Sequence, residues 1–146
     1  MQSEMADFTD NLYRRLQSIE NAAARLLTGT RRRDHISPVL SRLHWLPVKQ
    51  RVVFKLAIIV FQSLRGETPS YLADDCQLIA DSGRRCLRSA DANALTVPRT
   101  NTRLGDRSLS VAGPKVWNSF PATLRQPDVE LGQFKRLLKT FLFSRQ

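Results

Sequence analysis

The sharpest candidate for chemistry is the string Tyr71-Leu72-Ala73-Asp74-Asp75. Two adjacent carboxylates behind an aromatic resemble the aromatic-X-Asp-Asp box, in which paired aspartates on a hairpin tip hold two metal ions for in-line displacement at phosphorus. Here the spacing is out by one: Leu72, not an aromatic, lies two residues before Asp74. Pro69 and Ser70 open a helix rather than a strand, and the apolar segment upstream is itself helical in period. No strand is left to bring a third aspartate, so Asp74 and Asp75 read as capping or surface carboxylates. The other chemistries fail sooner. The soft ligands are His35, His44, Cys76 and Cys86, with no C-x-x-C and no H-x₃₋₅-H spacing for zinc. His44 beside Trp45 reads as packing. There is no nucleophile elbow and no glycine-rich phosphate loop; the six glycines are scattered, and Gly113-Pro114 reads as a turn. No metal and no cofactor is expected.

Cationic chemistry is what remains. The chain has 23 Lys and Arg against 13 Asp and Glu, a net charge of +10. Arg supplies 18 of the 23, and guanidinium forks grip phosphate oxygens and stack on bases better than ammonium groups do. The charges are clustered: Arg31, Arg32 and Arg33; Arg84, Arg85 and Arg88; Arg99, Arg103 and Arg107; then Lys135, Arg136 and Lys139. Six of these arginines fall within 24 residues of turn-rich, weakly apolar sequence. Such a segment gains little from burial, which leaves its arginines to meet phosphates. These twelve residues are the expected contacts to an RNA or DNA backbone.

The elements that must position them read as follows. Leu12, Leu16, Ile19, Ala23 and Leu26 recur at helical spacing, with Thr9 or Asp10 as cap and Gly29 as C-terminal stop, giving a helix over 10–27. Arg14 and Arg25, eleven residues apart, point nearly the same way, off that stripe. Ser37-Pro38 starts a helix over 37–44, and Pro47 one over 47–65. The latter is apolar on most sides, with Val52, Val53, Leu56, Ile59, Val60 and Leu64 in one stripe and Phe54, Ile58 and Phe61 in another, as a core helix should be. A short turn of helix lies around 71–78. Arg85 to Ser89 and Ala94 to Val97 could pair as a hairpin within 84–98. Gly113-Pro114 introduces a short helix with Trp117, and Asp128 caps a last helix over 129–143 with Leu131, Phe134, Leu137, Leu138 and Phe141 inward. The fold class is α+β, mainly α: a helical core with a small β-hairpin in the C-terminal half. It divides into a helical region, 1–80, and a basic hairpin, loop and C-terminal helix, 81–146, the two forming one domain. The two cysteines give no disulfide framework, and residues 1–10 have no signal-peptide pattern. The longest apolar run, 56–61, is far short of the ~20 residues needed to span a bilayer. The chain is expected to be soluble and intracellular, with no membrane partner.

Several strings in order carry a resemblance. They are Leu16-Gln17-Ser18-Ile19-Glu20-Asn21-Ala22-Ala23-Ala24-Arg25-Leu26, His35-Ile36-Ser37-Pro38-Val39-Leu40, Leu43-His44-Trp45-Leu46-Pro47-Val48 and Arg51-Val52-Val53-Phe54-Lys55. Pro69-Ser70-Tyr71-Leu72, Arg85-Cys86-Leu87-Arg88-Ser89, Val97-Pro98-Arg99-Thr100 and Gly105-Asp106-Arg107-Ser108 follow. Ala112-Gly113-Pro114-Lys115-Val116-Trp117-Asn118-Ser119-Phe120-Pro121 and Phe134-Lys135-Arg136-Leu137-Leu138-Lys139 close the set. Over 12–143 the chain resembles the C-terminal, post-palm end of the reverse-transcriptase polyprotein of LINE-type (non-LTR) retrotransposons. It departs at Glu20, where Gln is more usual, and at Phe120, where Leu is. The resemblance implies a truncated piece without the endonuclease or the catalytic palm, hence not an enzyme but a nucleic-acid-binding segment, nuclear if it serves a retrotransposition complex. It makes Tyr71-Leu72 part of the tail's own Pro-x-Tyr-Leu string and Asp74-Asp75 a decoy. A second reading is a helical interaction module that packs on the missing palm, supported by apolar surface on the core helix, Trp45 and Trp117. A third is a remnant with no selected role.

Overall fold

The computed structural model describes residues 2–83 and 93–145, with the backbone alone for 2–8 and 82. It is mainly helical. Among the described residues are seven α-helices: α1 (Gln2–Thr28), α2 (Ser37–Arg42), α3 (Val48–Leu64), α4 (Ser70–Asp74), α5 (Arg103–Asp106), α6 (Leu109–Asn118) and α7 (Leu131–Ser144), plus one 3-10 turn, Ile79–Ser82. The chain divides into two compact units, 1–52 with 139–146, and 53–138. The division falls inside α3 and α7.

In the first unit α1 begins well before the expected caps: the helix runs through Thr9 and Asp10, and the Asp10 carboxylate pairs with Lys49 at 3.3 Å. Gly29 ends it at φ 67°, the left-handed geometry that costs other residues a Cβ clash. Ala24 of α1 and Val39 and Leu40 of α2 form the buried cluster, with Ile36, Leu43 and Trp45 packed on it. The expected stripe is thus not what α1 buries. Leu12, Leu16, Ile19 and Leu26 stay exposed, because the short α2 and the start of α3 cover only the neighbouring face. Gln17 fastens that face, its Oε1 accepting from the Val48 backbone N–H at 2.8 Å. That N–H opens α3 and has no partner within the helix. His44 closes α2 in the left-handed region, φ 56°, and is exposed; it shapes a turn rather than packing.

In the second unit the buried face of α3 is Ala57, Val60, Phe61 and Ser63. Phe61 stacks on Phe134 of α7, with centroids 4.3 Å apart and planes at 13°, and Trp117 of α6 lies 5.9 Å from Phe134. Gly113-Pro114 is not a turn: both lie buried within α6. A Cβ on Gly113 would sit 3.0 Å from Val60, so glycine sets how closely α6 approaches α3. The helix absorbs Pro114 at the cost of one backbone bond. Glu130, not Asp128, precedes the first turn of α7, its carbonyl accepting from the Phe134 N–H at 2.8 Å.

The hairpin is not supported. Its first half, 85–89, lies outside the described residues, and among those described there is no strand. Its second half pairs elsewhere. Leu95 forms an isolated antiparallel bridge with Leu78, and the Asn118 carboxamide donates to the Leu95 carbonyl and accepts from its N–H, both at 2.8 Å. A side chain takes the edge that a second strand would have filled.

Candidate nucleic-acid interface

The first unit builds a cationic groove from α1 and the loop after it. The loop is ordered by its own chemistry. The Asp34 N–H donates to the Arg31 carbonyl at 3.1 Å, and the Asp34 carboxylate accepts from the Arg31 N–H at 3.2 Å. Arg25 completes the turn, its guanidinium donating to the carbonyls of both Arg31 and Asp34. The Thr28 hydroxyl ties back to the Ala24 carbonyl at 2.8 Å and meets that of Thr30 at 2.6 Å. Held this way, Arg31, Arg32 and Arg33 all present exposed side chains. Below them an open groove of about 980 Å³ is lined by Arg14, Ser18, Asn21, Arg25, Thr30 and Arg32, among others. Three guanidinium groups with amide and hydroxyl donors between them form a surface on which successive phosphates can be neutralised and hydrogen-bonded. Arg31 and Arg33 flank this groove in sequence without lining it.

Arg32 belongs to the contact set expected from the sequence, and Arg14 and Arg25 join it as partners outside that set. Their signal was available in the eleven-residue spacing, which puts both on one side of α1. What the spacing could not show is that the Arg-rich loop folds back over that side.

The second unit holds Arg99, Arg103 and Arg107, all exposed. Thr102 caps α5, accepting from the Gly105 N–H at 3.1 Å. Arg103 and Arg107 stand one helical turn apart, with Asp106 between them. The Thr100 hydroxyl donates to the Asp106 carboxylate, and Lys115 pairs with it at 3.4 Å. The Thr100 hydrogen bond first, and Lys115 with it, hold the Asp106 carboxyl below the usual carboxylate range. This cluster therefore keeps an ionised carboxylate at its centre, whose charge the Lys115 ammonium offsets. Arg84, Arg85 and Arg88 lie outside the described residues. On α7, Lys135 and Arg136 are exposed and Lys139 is half-buried.

Asp74 and Asp75 end α4 and are both exposed, as is Tyr71. Among the described residues no three of His, Cys, Asp and Glu come together as a metal site. Cys76 is buried, and burial first, then the Asp75 charge, raises its thiol pKa. No described helix is long and apolar enough to cross a membrane. No family model, no curated protein and no solved structure matches the chain.

Proposed function

We propose that the chain binds nucleic acid through its backbone phosphates, as the post-palm segment of a LINE-type reverse transcriptase without a catalytic centre of its own. The observation that carries this reading is the groove in which Arg14, Arg25 and Arg32 converge. Arg25 sets the loop, and Arg14 and Arg32 supply exposed forks to the strand. Arg31 and Arg33 extend the contact at the lip. Arg84, Arg85, Arg88, Arg99, Arg103, Arg107, Lys135, Arg136 and Lys139 are outlying phosphate contacts in the same proposal. A single strand suits an open groove, because its sugar-phosphate chain can follow an irregular wall while its bases remain free to stack on guanidinium planes.

The test is fluorescence anisotropy of labelled single-stranded RNA and DNA across a salt series. Two groove contacts, Arg14 and Arg32, should give log affinity against log salt a slope of about −1.4, and steeper as Arg31 and Arg33 add theirs, from ~0.7 per phosphate. A chain that binds neither strand at low salt, or binds with no salt dependence, contradicts the proposal.

A further inference from the structure

Helix α1 leaves a regular apolar seam uncovered. Leu12, Leu16, Ile19, Ala23 and Leu26 follow one another at spacings of 4, 3, 4 and 3 residues, the alternation of a two-helix coiled coil. Far from facing the core, Ile19 is 67% exposed and Leu26 is 87% exposed, with Leu12 and Leu16 also open. Single exposed leucines need no explanation, but a file of them along one helix does.

The residues flanking the seam specify what fits it. In a parallel pair the residue before each a position faces the residue five further along the other helix. With Leu16 and Ala23 as a positions, these flanking pairs are Arg15 with Glu20, and Ala22 with Leu27. One pair is of opposite charge, and the other is apolar, Leu27 being exposed in the single chain. Antiparallel packing with the layers fully overlapped would instead set Glu20 against Glu20. A second observation falls at the same place. The Glu20 side chain is only 8% exposed, and Oε1 accepts from Arg51 at 2.5 Å, yet Oε2 is buried with no hydrogen-bond partner. It lies in a hollow of about 500 Å³ beside the seam, whose wall includes Leu16, Ile19, Trp45 and Val48. A buried carboxylate oxygen without a donor is costly to leave. An arginine entering along the seam would supply one.

We propose that α1 is a self-association surface: two copies of this chain pair through α1, parallel and in register, with Arg15 of each directed to Glu20 of the other. The pairing is isologous, as closed dimers are. Just over two heptads alone hold helices weakly, so association falls in the micromolar range. The seam adjoins the cationic groove, sharing Ala22 and Leu26 with its wall, and the pairing is tested without nucleic acid.

Sedimentation equilibrium of the full chain should show a monomer–dimer equilibrium. Leu16→Glu and Ile19→Glu, at exposed positions, should each give a monomer with unchanged helicity and melting. Arg15→Glu should weaken association about tenfold by placing like charges at both rims. Mixing the Arg15→Glu chain with a Glu20→Arg chain should restore it, since both rims are then opposite in charge. Because Glu20→Arg also removes the partner of Arg51 and can unfold the chain, a second measurement stands apart from it. In a Cys86→Ser background, Leu26→Cys should form an interchain disulfide on mild oxidation, because a parallel register sets the two sulfurs in one layer and Cys76 is buried. A chain that stays monomeric through the high-micromolar range overturns the proposal and leaves the seam to another polypeptide, such as a polymerase palm. A dimer indifferent to Leu16→Glu, or one that Leu26→Cys fails to cross-link, overturns it equally.

Discussion

Replacing Phe134 by Ala should be among the most damaging single changes in the second unit. The ring is fully buried, stacked on Phe61 at 4.3 Å and 5.9 Å from Trp117. Truncating a buried Phe costs ~3–5 kcal/mol, from lost transfer energy plus the cavity left behind. A well-made aromatic pair contributes ~0.5–1.5 kcal/mol beyond its area, which puts this site toward the upper end of that range. Against a typical domain stability of ~5–15 kcal/mol the change removes a third or more. The control lies three residues along the same helix. Leu137 is 41% exposed, so Leu137→Ala should cost about 1 kcal/mol. Urea unfolding followed by far-ultraviolet circular dichroism gives both numbers, with equal slopes if the denatured states match. If Leu137→Ala proves the costlier, α7 is rotated from the placement described. Lys135 and Arg136 would then not be the solvent-facing side of that helix, and the distribution of cationic surface would have to be redrawn.

Gln17→Ala should lower stability by ~1 kcal/mol, because it strips the carboxamide acceptor from the N–H that opens α3; an unchanged melting temperature would show that water replaces the carboxamide without loss. Cys76 should react with a thiol reagent far more slowly than an unfolded-chain thiol, since it is buried and its pKa is raised. The sign of the linkage follows: with the folded pKa above the unfolded one, the stabilisation is complete below the ordinary thiol pKa and is lost as pH rises through the folded value. Cys76→Ala should therefore flatten the alkaline side of the stability–pH curve, and a curve of unchanged shape would contradict the assignment.

The helices were legible where period and punctuation agreed. For α3 the apolar run, Pro47 before it and Gly66 after it all act within the helix itself, so its limits could be read to within a residue or two. The face it buries could not. Two overlapping stripes were available, and tertiary packing selected Ala57, Val60 and Phe61. Helix α1 shows the same limit more sharply. Its apolar stripe was visible, but whether a stripe meets its own domain or solvent depends on the length of α2 and the course of α3, which period does not encode. Gly113-Pro114 misled because proline usually marks a boundary; here the close approach of α6 to Val60 made glycine necessary, and the helix carried the proline with it. At the candidate interface Arg31, Arg32 and Arg33 stood out as a run. Arg14 and Arg25 became partners only through a loop closed by backbone carbonyls, and carbonyls leave no trace in composition.

The most direct test of the nucleic-acid reading compares two charge removals of equal size. Arg14→Ala with Arg32→Ala empties the groove of its two exposed forks, whereas Lys135→Ala with Arg136→Ala removes two exposed cations from α7. All four positions are exposed, so folding should be little affected. Measured by anisotropy on the same single strand, the groove pair should reduce the steepness of log affinity against log salt by ~1.4, that is ~0.7 for each lost phosphate contact. The α7 pair should change it by less than half as much. Equal effects would mean that only overall charge matters, and a larger effect from α7 would place the binding surface there, contradicting the account.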